Sequence, residues 1–309
     1  MGNIRFILLS LAVAAATFAA ALWIGNAYVF FAGYVVLQYI VLATAWNILG
    51  GYTGYVNFGT AAFFALGAYS TVVLHKTVPL MPLPVMMMIG GLISGIIGLG
   101  MGYLTLRLRG TFFAIATLAM AVVAQTLITN WDFVGGSRGA YIIRPAKSPI
   151  FTGDYIEYLF AVMLLLSVIS VCIARAIQHS RLGYGFSAIR DDELAAEASG
   201  VPTLRLKLIA TVLSGGLMGM AGAPLPYYVT YLDPASGFSL SYAINTIAMP
   251  LIGGTATWLG PVIGAVLLGT VQQLATVTIS SALSLLLVGL LLVAFVIAAP
   301  KGIVGWFRR

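Results

Sequence analysis

Four of the chain's eight carboxylates, Asp191, Asp192, Glu193 and Glu197, fall within residues 183–201, GYGFSAIRDDELAAEASGV. Arg190 stands beside them, and Arg175, Arg181, Arg205 and Lys207 frame the stretch. It is the one long segment that is neither apolar nor a short turn, so the chemistry it offers is recognition of a soluble partner. Asp191 is expected to cap a short helix, with Asp192 and Glu193 placing negative charge at the positive end of the helix dipole. Leu194, Ala195, Ala196 and Ala198 suit that helix. Gly200 fits the position just past its end, and Pro202 stops continuation. A helix of about nine residues is marginal alone in water, so it is expected to rest on a neighbour. Two readings fit these residues: an ordinary charged cytoplasmic loop, and a docking helix for a cytoplasmic subunit.

Other chemistry is sparse. His75 and His179 lie at the ends of apolar runs, and no H-E-x-x-H or G-x-S-x-G pattern occurs. The single Cys172, within an apolar run, can form neither an internal disulfide nor a thiolate metal site. No cofactor or metal is expected. No charged residue or histidine falls near the middle of an apolar run, and Glu157 and Lys207 are expected near span ends, reaching the headgroups. A charge at the bilayer centre costs roughly 2.5–3.5 kcal/mol and usually marks an ion path. Its absence speaks against a proton-coupled carrier, a voltage sensor or a charge-selective channel. The net charge of +7 comes from cations placed singly at the ends of apolar runs, as the positive-inside rule expects, and implies no nucleic-acid partner.

The elements that must position this segment are membrane spans. The chain is 61% hydrophobic and 7% charged over 309 residues, whereas about a quarter of a soluble domain is charged. An all-α integral membrane protein in a lipid bilayer follows, with about ten transmembrane helices (8–10), some broken or re-entrant. Expected spans are 6–24, 28–49, a glycine-rich third running to 74, 84–106, 112–129, 155–174, 206–223, 240–252, 259–277 and 283–299. Residues 17–19 loosely resemble a signal-peptidase site, but the apolar run continues unbroken to Ile24, which favours a retained first span. Residues 240–252 read as a full span or a half-helix. With ten crossings and the charged segment cytoplasmic, both termini are cytoplasmic. The inner side then holds Arg5, Arg107, Arg109, Arg175, Arg181, Arg190, Arg205, Lys207, Lys301, Arg308 and Arg309, against Lys76, Arg138, Arg144 and Lys147 outside.

Two interruptions stand out: residues 50–59, with Asn57 and Thr60, and residues 250–261, with Gly253, Gly254 and Gly260. Non-helical backbone at membrane depth needs internal partners or water, and broken segments in opposite halves are where transporters commonly place a pathway. They are equally readable as interfacial turns. Candidate pathway residues are Tyr52, Asn57, Thr60, Asn245, Gly253 and Gly254. Asn245 and Gln125 also suit bonds to neighbouring helices. The spacings Gly91-x-x-x-Gly95, Gly98-x-x-x-Gly102 and Gly215-x-x-x-Gly219 predict close helix packing.

Several motifs together resemble one family, and the resemblance runs from about Trp46 to Gly305. They are GYTGYVNFGTAAFFALGAY, RLRGTFFAIATL (107–118), NWDFVGGSRG (130–139), the 183–200 segment, residues 231–234 and IGGTATWLGPVIG (252–264). The family is the permease subunits of bacterial ABC importers for branched-chain amino acids, specifically the M-type subunit. The resemblance implies a single transmembrane permease domain over residues 1–309 in the bacterial inner membrane, with residues 175–207 as a cytoplasmic coupling segment between spans six and seven. It implies a homologous second permease subunit of the H type, two cytoplasmic ATP-binding subunits that hydrolyse the ATP, and a periplasmic substrate-binding protein. Arg190, Asp191, Asp192, Glu193 and Glu197 would then seat in the ATPase, with Gly200 and Pro202 fixing the exit towards span seven. Tyr55, Asn57 and Thr60 stand where many members carry Gln, Ser and His, which leaves open other amino acids, urea, short amides or, more distantly, sugars as substrate. An ion-driven carrier and a non-transporting scaffold are the competing classes.

Overall fold

The computed structural model describes residues 3–149, 153–278, 286, 289–295 and 302–306. Its helices are α1 (Asn3–Ile24), α2 (Ala27–Thr53), α3 (Thr60–Thr77), α4 (Leu83–Thr105), α5 (Thr111–Thr129), α6 (Tyr155–Gln178), α7 (Arg181–Asp191), α8 (Glu193–Ala198), α9 (Thr203–Gly222), α10 (Leu225–Val229), α11 (Pro234–Gly237), α12 (Leu240–Gly253), α13 (Leu259–Thr278) and α14 (Gly302–Trp306). Two short strands, β1 (Ala140–Tyr141) and β2 (Tyr231–Leu232), pair antiparallel.

Seven helical stretches among the described residues are long and apolar enough to cross a membrane: Ile4–Ile24, Ala27–Thr53, Leu83–Thr105, Thr111–Thr129, Tyr155–Gln178, Thr203–Val229 and Leu259–Thr278. Their lengths and apolar composition make this an all-α integral membrane protein. The glycine-rich third segment is the 18-residue α3, and the eighth is the 14-residue α12. At 1.5 Å per residue α12 is roughly 21 Å long, against about 30 Å of hydrocarbon. Most of the tenth expected span, 283–299, lies outside the described residues.

The chain divides into two compact units. The first comprises Met1–Thr44, Ala146–His179 and Asn245–Arg309. In it Phe160 of α6 packs edge-on against Phe30 of α2, ring centroids 5.5 Å apart, and fills the space left by Gly33. At one end the Arg175 guanidinium lies 3.9 Å from the Phe6 ring centroid, and Phe6 and Trp258 meet edge to face at 4.9 Å. Gln178 Oε1 accepts from the Trp258 amide at 2.9 Å. The α12–α13 turn folds tightly, because Gly253, Gly260 and Gly264 let the two backbones touch. An open groove of about 750 Å³ between α1, α2, α6 and α13 is lined largely by apolar side chains such as Val13, Val36, Val168 and Val266.

The second unit, Ala45–Pro145 and Ser180–Ile244, is built on α3, α4 and α9. A side chain on Gly67 would overlap the Gly219 backbone, one on Gly222 would overlap the Phe64 carbonyl, and one on Gly91 would meet Met220 and the Gly216 carbonyl. The predicted small-residue faces therefore form the seams of this bundle. Ser94 on α4 donates to Phe63 O at 3.0 Å, tying the third helix in. At one end Lys76 Nζ donates to Phe133 O at 2.7 Å, Tyr231 Oη to Arg138 O at 2.9 Å, and Gly139 lies against Leu232. The 130–139 and 231–234 motifs thus meet through the β1–β2 pair.

Candidate functional site

The charged stretch folds as two helices where one was expected. Ser180 caps α7, its hydroxyl accepting from the Gly183 amide. The break falls at Asp192, whose backbone is extended (φ −159°, ψ 109°). Its carboxylate accepts from the Leu194 and Ala195 amides at 2.9 and 3.1 Å. The cap of α8 is therefore Asp192, one residue later than the Asp191 expected. The short side chain reaches the free N–H groups of a new first turn and so makes a second start favourable. Asp191 instead ends α7, exposed and paired with Arg190 at 3.3 Å. Gly200 follows α8 at φ +83°, with its amide on Glu197 O and the Val201 amide on Ala196 O, the exit geometry that glycine allows without strain. Thr203 Oγ1 then donates to Glu197 Oε1 at 2.6 Å, fixing the turn into α9.

The segment has two faces. Arg190, Asp191, Asp192 and Glu197 are exposed, together with two large apolar side chains, Tyr184 (73% exposed) and Leu194 (62%). Glu193 turns the other way, its side chain 12% exposed. Its Oε1 accepts from Lys207 Nζ at 2.7 Å, and its Oε2 accepts from the Tyr55 hydroxyl. Lys207 also donates to Tyr55 Oη and Leu106 O, each at 3.1 Å. The three ammonium donors thus meet three acceptors on α8, on the 54–59 link and at the end of α4. Arg109 approaches Glu193 at 3.6 Å and Glu197 at 3.7 Å from a half-exposed position.

This corrects the expectation for Lys207: it is buried, 3% exposed, and does not reach the headgroups. An ammonium near a span end can be held this way because a carboxylate and two further oxygens replace its water. It also separates Glu193 from the other carboxylates proposed to face a partner.

Burial opposes ionisation of Glu193. The hydrogen bonds from Lys207 and Tyr55 and the charges of Lys207 and Arg109 outweigh it, and hold the carboxyl below its usual value of 4.5. Burial, and then the adjacent Glu193, push the Tyr55 hydroxyl up. A depressed carboxyl pKa contributes stability that is present above the unfolded value and is lost as pH falls through the folded one. The apparent melting temperature of the purified protein should therefore fall as pH drops below about 4.5, and Glu193→Gln should remove part of that acid dependence. An unchanged slope in the variant would show that Glu193 is not the titrating group.

The pathway candidates are placed as follows. Helix α2 continues through Gly50 and Gly51 to Thr53, so the first break spans 54–59 and not 50–59. Tyr52 is buried in the last turn of α2, Thr60 is buried at the start of α3, and Asn57 is buried between them. Asn57 Oδ1 accepts from the Gly59 amide at 2.7 Å, which shapes the turn into α3. In the first unit, Asn245 Nδ2 donates to Tyr39 Oη at 3.1 Å. Helix α12 runs through Pro250 to Gly253, and α13 resumes at Leu259, so the second break is 254–258 rather than 250–261. Gly254 sits at φ +114° and opens that turn. Tyr55, Lys207 and Arg109 were not among the sequence candidates for the site. The one signal was a lysine at the start of a predicted span, preceded by an acidic run; the helix in fact begins earlier, at Thr203.

The chain thus combines helices long and apolar enough to cross a membrane with a cluster of ionic contacts where α4, α8 and α9 meet the 54–59 link. Residues 28–296 match the family described as "branched-chain amino acid transport system / permease component", and the chain belongs to that family. It is 28% identical over 299 residues to the high-affinity branched-chain amino acid transport system permease protein LivM of Salmonella typhimurium, covering 87% of this chain and 68% of that one. It is 24% identical over 269 residues to the probable branched-chain amino acid transport permease protein LivH of Methanocaldococcus jannaschii, covering 82% and 84%. With LivH of Salmonella typhimurium the identity is 21% over 287 residues, covering 86% and 91%. The higher identity to LivM agrees with the M-type resemblance. No solved structure matches the chain.

Proposed function

We propose that this chain is the M-type permease subunit of an ATP-driven importer in the bacterial inner membrane, moving branched-chain or other hydrophobic amino acids. The observation that carries this is the family match over residues 28–296. Its partners are a homologous H-type permease, two cytoplasmic ATP-binding subunits and a periplasmic substrate-binding protein. Residues 175–207 are the coupling segment, and the exposed face of α7 and α8 docks the ATPase. Tyr184 and Leu194 supply apolar anchors within a charged rim, the composition that interface cores and rims favour. Arg190, Asp191, Asp192 and Glu197 are that rim, and Gly200 sets the return into α9.

Ten crossings with both termini cytoplasmic belong to the same proposal, and the ends of each unit stand by themselves. In the second unit, Tyr55, Leu106, Arg109, Glu193 and Lys207 share one end. Phe133, Arg138, Lys76 and Tyr231 share the end reached by the intervening helices. In the first unit, Phe6, Arg175, Gln178 and Trp258 share one end, and Gly302 packs there on Gly254. Tyr52, Asn57 and Thr60 in the second unit and Asn245, Gly253 and Gly254 in the first remain the pathway candidates, because broken segments are where transporters commonly place a pathway. A carboxylate held ionised beside a buried lysine is a poor proton carrier, which disfavours ion coupling.

Tagged permease pair should copurify both ATP-binding subunits. In proteoliposomes Glu197→Lys or Arg190→Glu should reduce ATP-driven uptake about tenfold or more, the scale of disrupting a charged interface contact. Normal ATPase binding and normal uptake in both variants would sink the docking assignment. Uptake driven by a proton or sodium gradient without any ATPase would establish the secondary-carrier class. Ligand binding by the partner binding protein identifies the substrate.

A further inference from the structure

The link between α2 and α3, residues 54–59, touches the charged segment at two points. At Gly54 (φ +79°) the backbone lies so close to α7 that a Cβ would stand 3.3 Å from Arg190 Cγ. One residue on, Tyr55 Oη donates to Glu193 and accepts from Lys207. Beyond Tyr55, the link is bound to two further helices. Trp46 Nε1 of α2 donates to Asn57 O at 2.9 Å, and the Phe58 amide donates to Thr117 Oγ1 of α5 at 3.1 Å. The link then enters α3 at Thr60. One hydroxyl therefore joins α8 to a stretch that holds α2, α3 and α5.

Every polar atom at the centre of this cluster is used. Helix α8 cannot shift without either drawing Tyr55 along or leaving a buried ammonium short of partners. A packed, fully bonded cluster of this kind has discrete arrangements and does not deform gradually.

We propose that Tyr55, Glu193 and Lys207 are positioning residues of the transport cycle: they pass a displacement of α8 to the 54–59 break and so to α2, α3 and α5. The proposal rests on the reading that α7 and α8 seat an ATP-driven partner. It gives Glu193 a transmitting role on the inner face, distinct from the docking role of the outer carboxylates.

Tyr55→Phe isolates the hydroxyl, because the ring keeps its edge-on contact with Phe113 at 5.0 Å between centroids. The assembled importer is reconstituted, and uptake and ATP hydrolysis are measured in the same vesicles. In Tyr55→Phe the complex should be recovered at the wild-type yield and hydrolysis should persist. Uptake per ATP should fall about tenfold, the scale of one charge-assisted hydrogen bond. The charge-exchanged pair Glu193→Lys with Lys207→Glu keeps two partners for Tyr55 Oη, and should recover most of the ratio lost in Glu193→Lys alone. A wild-type ratio in Tyr55→Phe overturns the linkage, as does a fall in complex yield, hydrolysis and uptake together, which marks a purely structural role. If the unaltered assembly shows no ATP-driven uptake or retains no ATP-binding subunit, the docking reading has failed and the linkage falls with it.

Discussion

Lys207→Met lowers the stability of the second unit by roughly 3–5 kcal/mol, the cost of stranding one member of a buried ion pair. The variant leaves the Glu193 carboxylate, 12% exposed, without its 2.7 Å partner. It also removes donors from Tyr55 Oη and Leu106 O. Methionine nearly matches the lysine stem, so packing is preserved and the loss reports electrostatics. Arg109 does not replace Lys207, because its half-exposed guanidinium approaches Glu193 only at 3.6 Å. Contacts of that kind contribute about 0–1 kcal/mol, so Arg109→Ala should be close to neutral. The measurement is the yield and apparent melting temperature of protein purified in detergent. The double variant Glu193→Gln with Lys207→Met removes both charges, and should recover much of the loss because buried pairs are weak net stabilisers. A single variant as stable as the wild type would show that the pair is not buried in the folded protein. No recovery in the double variant would show that Lys207 acts mainly through Leu106 and the Tyr55 hydroxyl.

That bridge was the part of the site least legible in the sequence. The apolar pattern places Lys207 near a span end, as found, but it carries no information on which oxygen faces the ammonium. Glu193 lies 14 residues away in sequence and Tyr55 lies 152 away, and no periodicity links such positions. Among the described residues, most of the long helices were legible to within a few residues, since continuous apolar runs bounded by Pro, Gly and charge leave little freedom. Where the boundaries missed, a specific contact explains it. Gly50 and Gly51 read as a break, yet α2 runs through them because the Trp46 indole covers Gly50, where any Cβ would collide with the ring. The same indole donates across the turn to Asn57 O, so these glycines mark close approach within a helix. The split at Asp192 was hidden because Asp191 and Asp192 are equal as caps by type, and only the backbone at Asp192 is extended. The small β1–β2 pair was missed because two-residue strands have no pattern to read.

Gly222→Val should be among the most damaging single substitutions in the chain. Helices α3 and α9 cross with backbones in contact: a Cβ on Gly222 would overlap the Phe64 carbonyl oxygen and press on the Ala68 amide at 3.2 Å. One helical turn earlier, Gly219 meets Ser94 and the Gly90 carbonyl of α4, and Gly67 of α3 meets the Gly219 backbone. The obstacle is backbone on every side, so no rotamer change relieves it and the helices must separate. Overpacking a seam of this kind costs roughly 3 kcal/mol or more, at the upper end for buried sites. Separation also draws Ser94 off Phe63 O, a buried bond within the same seam. The expected result is loss of most folded protein on extraction, read as a collapse of the monodisperse peak in size-exclusion chromatography. Gly100→Ala is the matched control: Gly100 is an exposed helical glycine of α4 with open space around its Cβ position. Alanine there should be neutral or slightly stabilising through helix propensity. Membrane helices gain little from excluding water and hold together by close packing, so the difference between these two glycines measures that packing directly. Equal yields for Gly222→Val and Gly100→Ala would mean that α3 and α9 do not cross in contact.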